Sequence, residues 1–170
     1  MSDEAFAHSG DESSFLRRLG AFNAILYGGL AAGALDITYA LIFNGLRGTS
    51  STRVLQFIAS GLLGRTAFSG GLKAALFGVL LHFLIAFIVA AVYYGASLRL
   101  PALVRQAVIW GLIYGVTVYF VMNYVVLPLS SAPPLRFSFV TFISGLLVHA
   151  FCVGLPVALL TRRSAKADER

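Results

Sequence analysis

The chain has 170 residues, of which 58% are hydrophobic and only 12% charged, and its formal net charge is +6. About a quarter of a soluble domain's residues are charged, so this composition excludes a soluble globular domain. The positive charge does not indicate nucleic acid: the lysines and arginines punctuate apolar runs, as the flanks of spanning helices do, instead of gathering into a basic patch.

Residues 1–18 are polar and acidic and read as a disordered cytoplasmic tail. Arg17 and Arg18 precede the first apolar run, and 21–46 is long enough to cross the hydrocarbon core, which takes about 20 apolar residues. The two arginines, a short apolar core and Ala32-Gly33-Ala34 also match a signal peptide with its cleavage site. The run continues through Ile37, Leu41 and Phe43, past the roughly 7–15 residues of a signal-peptide core, which favours an uncleaved helix.

The connector Arg47 to Gly71 begins with the capping residues Thr49, Ser50, Ser51 and Thr52. Val54, Leu55, Phe57, Ile58, Leu62 and Leu63 then recur at helical spacing between Arg53 and Arg65. This predicts a short amphipathic helix, either lying in the membrane interface or packed on the bundle.

The second span is 72–98, with Lys73 at one end and Tyr93, Tyr94 and Arg99 at the other, the tyrosines matching an aromatic belt. Pro101 opens a third span, 102–127. Pro128, Pro133 and Pro134 predict a stiff loop, and the fourth span is 137–161, followed by a basic and polar cytoplasmic tail, 162–170.

With both termini in the cytoplasm, the inner side carries Arg17, Arg18, Arg99, Arg105, Arg162, Arg163, Lys166 and Arg170. The outer side carries Arg47, Arg53, Arg65, Lys73 and Arg136. Lysine and arginine prefer the cytoplasmic side, so this orientation is expected, with the connector outside.

Small residues four apart let helices approach closely in lipid. Gly29 and Gly33, and Gly111 and Gly115, are the packing positions, and they offer faces for a homo-oligomer. Gly29-Leu30…Gly33 and Gly111-Leu112…Gly115, with Gly78…His82 and Gly145…His149, also hint at a repeated two-helix unit.

Ionisable side chains inside a bilayer are costly, about 2.5–3.5 kcal/mol for a central aspartate on insertion scales, so they face a partner, a cavity or water. Asp36, His82 and His149 qualify, and every other acidic residue lies near a chain end. At a rise of about 1.5 Å per residue they sit about 15, 14 and 18 Å from the outer ends of their helices, close to one level. Asn123 adds a polar group on the third helix.

A carboxylate beside an imidazole is able to relay a proton or hold a cation. Two histidines on different helices are able to ligate haem or a transition metal. The plainer alternative is that Asp36 bonds a histidine or a tyrosine and locks helices one, two and four together. Cys152 is the only cysteine, so neither an internal disulfide nor a cysteine-based metal motif exists. No phosphate-binding glycine-rich loop, His-Glu-x-x-His or Gly-x-Ser-x-Gly occurs.

Leu35-Asp36-Ile37-Thr38-Tyr39, Ile58 to Gly64, Leu81-His82-Phe83-Leu84-Ile85-Ala86 and Met122-Asn123-Tyr124 carry a resemblance. The segment containing them resembles a group of uncharacterised small inner-membrane proteins of proteobacteria and is distantly similar to the YagU-like family. That resemblance implies a bacterial inner-membrane location and transfers no catalytic or binding residue.

The residues therefore predict an all-α polytopic membrane protein: a four-helix transmembrane bundle with a short amphipathic connector helix between helices one and two. Its expected partner is the lipid bilayer, with neither nucleic acid nor a cofactor. The expected role is structural or accessory rather than enzymatic. The alternatives are a small transporter or channel-like protein using Asp36, His82 and His149 for a proton or cation, and a haem-binding or redox subunit.

Overall fold

The computed structural model of the chain describes residues 3–134 and 137–167; Arg136 and the last three residues of the basic tail lie outside them. Every regular element among the described residues is helical. Four helices are long and apolar enough to cross a membrane: Gly20–Gly45, Gly71–Ser97, Ala107–Leu129 and Phe139–Ala165. The chain is an all-α, multi-pass membrane bundle, as its hydropathy predicts.

Helix α1 runs Asp3–Gly45, so the segment read as a disordered tail has helical backbone. No proline interrupts it, and its alanines, leucines and arginines favour helix. Ala32 and Gly33 are buried in the middle of this helix.

Helix α2, Ser51–Leu63, is the connector. Ser50 caps it, its hydroxyl accepting from the Arg53 N–H at 3.3 Å. The helix packs on the bundle rather than lying free in the interface. Val54, Gln56, Ala59 and Ser60 are buried, and Gln56 donates from Nε2 to the Gly71 carbonyl at 3.0 Å. Gly78 of the second span lies against the Leu55 carbonyl with no room for a Cβ. The Ser131 N–H donates to the Gly61 carbonyl at 2.9 Å and ties the connector to the far end of the third span.

Helix α3, Gly71–Ser97, is the second span. Its Leu76, Leu80, Leu84, Ile88 and Val92 recur every four residues and are all exposed, an apolar stripe of the kind that faces lipid or a partner. Tyr93 does not join an aromatic belt: it is 1% exposed and donates from its hydroxyl to the Leu103 carbonyl at 3.0 Å. A phenol pays less for burial when it bonds a backbone carbonyl.

The third span starts later than 102. Ala102–Arg105 is a separate turn, α4, which Gln106 breaks from α5, Ala107–Val121. The span also ends later, because Pro128 sits inside it. A wide π turn, Met122–Val126, leads into α6, Leu127–Leu129. The fourth span repeats this device: α7, Phe139–Val148, passes through the π turn His149–Gly154 into α8, Leu155–Ala167, which contains Pro156. A helical proline clashes with the carbonyl four residues earlier. Those residues are Tyr124 and Cys152, each inside a π turn, so the widened turn takes up the ring. Helix α8 also carries helical backbone through most of the segment read as a polar tail.

The glycines predicted to pack helices do so inside this one chain. Gly33 lies on the Phe83 ring and Gly29 on Phe87, which joins the first span to the second. Gly111 and Gly115 meet Gly154 and the His149 carbonyl, backbone against backbone, which joins the third span to the fourth. These four glycines are therefore buried against neighbouring spans of the same chain. The core they frame is small: Ala32, Ala90, Ala107 and Ala158 with Tyr93, Val118, Val153 and Val157. Helices in lipid gain from close packing rather than from hydrophobic exclusion, and small residues serve that best.

Candidate functional site

On the first span, Ala32, Asp36, Ala40 and Asn44 stand four residues apart on one face. That face borders a cavity of about 470 Å³, running from mid-bundle to the connector end. The second span contributes Leu81, His82, Ile85, Ala86 and Val89, and the fourth His149 and Val153. The third contributes Val118, Met122, Val126, Leu127 and Ser130. Val54, Phe57 and Ile58 of the connector cover the end.

Asp36, His82 and His149 thus all border one cavity. His149 Nδ1 lies 3.9 Å from Asp36 Oδ1, and both side chains are half-buried. The same nitrogen lies 3.0 Å from the Gly145 carbonyl one turn back. His82 Nε2 lies 2.9 Å from the Gly33 carbonyl on the first span. A carbonyl only accepts, so each of these nitrogens carries the hydrogen. In the neutral rings, His149 then keeps its lone pair on Nε2 and His82 keeps it on Nδ1.

The Tyr119 ring meets His149 edge-on at 5.3 Å between centroids and fixes the plane of the imidazole. Gly145 is needed here, because a Cβ on it would stand 2.8 Å from the Tyr119 ring. His149 also opens the π turn of the fourth span, and π turns recur at functional sites.

Asn123 does not join this cavity. Its Nδ2 donates to the Tyr119 carbonyl at 2.9 Å, and the residue borders a second cavity nearer the bundle's end. Its neighbour Met122 takes the inner position instead. Asn44 and Ser130 also line the first cavity and are not among the site residues that the sequence predicts. Asn44 lies eight residues, about two helical turns, after Asp36, which was the signal for it; Ser130 follows Pro128, where a loop was expected.

Apart from these groups the cavity wall is apolar, built of aliphatic side chains and Phe57, with few polar atoms on it. Such a wall suits a mainly apolar molecule, oriented by a few polar contacts. Among the described residues, no three histidine, cysteine, aspartate or glutamate side chains are grouped to hold a metal ion. Comparison with family models, with curated proteins and with solved structures finds no match to this chain.

Proposed function

We propose that the chain is a small transporter-like binding protein of the bacterial inner membrane, with both termini cytoplasmic. Its ligand is a mainly apolar molecule with a cationic end. One observation carries this reading: Asp36, the lone carboxylate of the spans, shares a mainly apolar cavity with His82 and His149. Apolar walls take the apolar body, and Asp36 takes the positive end or a proton in its place. A structural or accessory role accounts for the Asp36–His149 and His82–Gly33 contacts, since they tie the first span to the fourth and second. It gives no reason for a cavity of about 470 Å³ to be kept between them.

The test is binding of a lipophilic cation, tetraphenylphosphonium, to purified protein in a neutral detergent. Wild type is expected to bind saturably and Asp36→Asn at least about tenfold more weakly, a loss of about 1.4 kcal/mol. Equal binding by the two proteins would remove Asp36 from the site. No saturable binding by wild type, with Asp36→Asn losing only thermal stability, would favour the structural role.

A further inference from the structure

The second cavity, about 1160 Å³, opens at the connector end of the bundle. Its wall differs in kind from that of the first. Arg53 and Arg65 both border it, with hydroxyls from Thr49, Tyr124, Ser138 and Thr141, and no carboxylate. The Arg53 guanidinium stacks over the Phe68 ring, 4.2 Å from its centroid, which holds it in place on the wall. Arg47 adds a third charge at the edge, donating from Nη1 to the wall residue Thr141 at 3.0 Å.

Among the described residues no acidic side chain borders this cavity to balance these charges. The carboxylates of the chain are Asp36, inside the bundle, and those at residues 3–12 and 168–169. At about 1.5 Å per residue, Glu12 lies about 50 Å along α1 from its connector end. Among the described residues neither Arg53 nor Arg65 forms an ion pair. Two guanidiniums and several hydroxyl donors facing one concavity, without a counter-charge, are the chemistry that recognises a phosphate-type anion.

The surroundings of that anion are apolar. Phe57, Leu127, Phe137 and Phe142 share the wall with the arginines. Phe57 and Leu127, with Val54 and Asn44, border the first cavity as well. A free ion would use the charged part of the wall only; a lipid uses both. We propose that this vestibule is a binding site for the phosphate headgroup of an anionic membrane lipid, held by Arg53 and Arg65. The site is independent of the cation reading of the inner cavity, because it uses neither Asp36 nor the histidines.

The experiment measures retention of added lipid by the full-length protein in neutral detergent, by native mass spectrometry, together with the thermal unfolding midpoint. The probes are dioctanoyl phosphatidic acid, dioctanoyl phosphatidylcholine and inorganic phosphate. Wild type is expected to retain the phosphatidic acid and to unfold at a higher temperature with it, and to respond to neither other probe. R53Q/R65Q is expected to bind it at least about tenfold more weakly, and the exposed single variant R65Q about fivefold. R99Q/R105Q, at the other end of the bundle, is expected to match wild type. Inorganic phosphate acting as strongly as phosphatidic acid would overturn the lipid as source of the anion. Equal retention by wild type, R65Q and R53Q/R65Q would overturn the site itself. Loss of tetraphenylphosphonium binding in Asp36→Asn bears on the inner cavity alone.

Discussion

Asp36 and His149 stand on the first and fourth spans, more than a hundred residues apart in sequence, with Oδ1 and Nδ1 3.9 Å from each other. That separation is too long for a strong hydrogen bond and short enough for the two groups to interact through charge. Asp36→Asn and His149→Gln are therefore expected to be non-additive. A double-mutant cycle on unfolding in mixed micelles should give a coupling of about 0.6 kcal/mol, the usual size for polar pairs between membrane helices. A coupling of zero would mean that the two side chains do not interact.

The crossing of the third and fourth spans depends on absent side chains. A Cβ on Gly115 would meet the His149 carbonyl, and one on Gly154 would meet the backbone at Gly111 and Gly115. Backbone cannot swing aside as a side chain can, so Gly115→Ala and Gly154→Ala are each expected to cost about 2 kcal/mol or more. A Cβ on Gly95 would meet nothing within 4 Å, so Gly95→Ala is expected to be neutral or to stabilise by up to about 1 kcal/mol. Unfolding midpoints of the three variants check this; a Gly115→Ala protein as stable as wild type would refute the close crossing.

Gly115→Ala should also disturb the cavity, because the carbonyl it strikes belongs to His149. Tetraphenylphosphonium binding is expected to fall in this variant and to be unchanged in Gly95→Ala. Unchanged binding in both would separate the crossing from the site.

Orientation is open to cysteine labelling. Thr66 is exposed beside the connector and Arg99 is exposed at the opposite end, whereas Ser60 of the connector is buried and unsuitable. With Cys152 replaced by serine, a membrane-impermeant maleimide added to intact cells should label Thr66→Cys and not Arg99→Cys. Labelling with the reverse pattern would invert the proposed topology.

The Tyr114 hydroxyl donates to the Val89 carbonyl at 2.7 Å, bridging the third span to the second. Tyr114→Phe keeps the ring contact with Tyr93 and removes only that bond. A loss of about 0.5–1.5 kcal/mol is expected in the same unfolding assay; a more stable variant would show that the bond does not hold the spans.

The number of spans and the level of their polar residues were legible in the sequence, for reasons that do not involve neighbours. A bilayer imposes a length on each apolar run, and a fixed rise per residue converts position into depth. Asp36, His82 and His149, placed at one level by counting, all border one cavity, which a common level allows but does not by itself bring about. The rotation of each helix about its axis was not legible, since one residue turns the helix by about 100°. Met122 and Asn123 show the consequence: adjacent in sequence, they face different cavities. The π turns before Pro128 and Pro156 shift that rotation further, and a loop was expected where the third span in fact continues. Gly29, Gly33, Gly111 and Gly115 were recognisable as packing positions because lack of a side chain has one evident use in lipid. Only the tertiary structure decided that their partners lie within the same chain, because contact depends on which helix each face is turned toward.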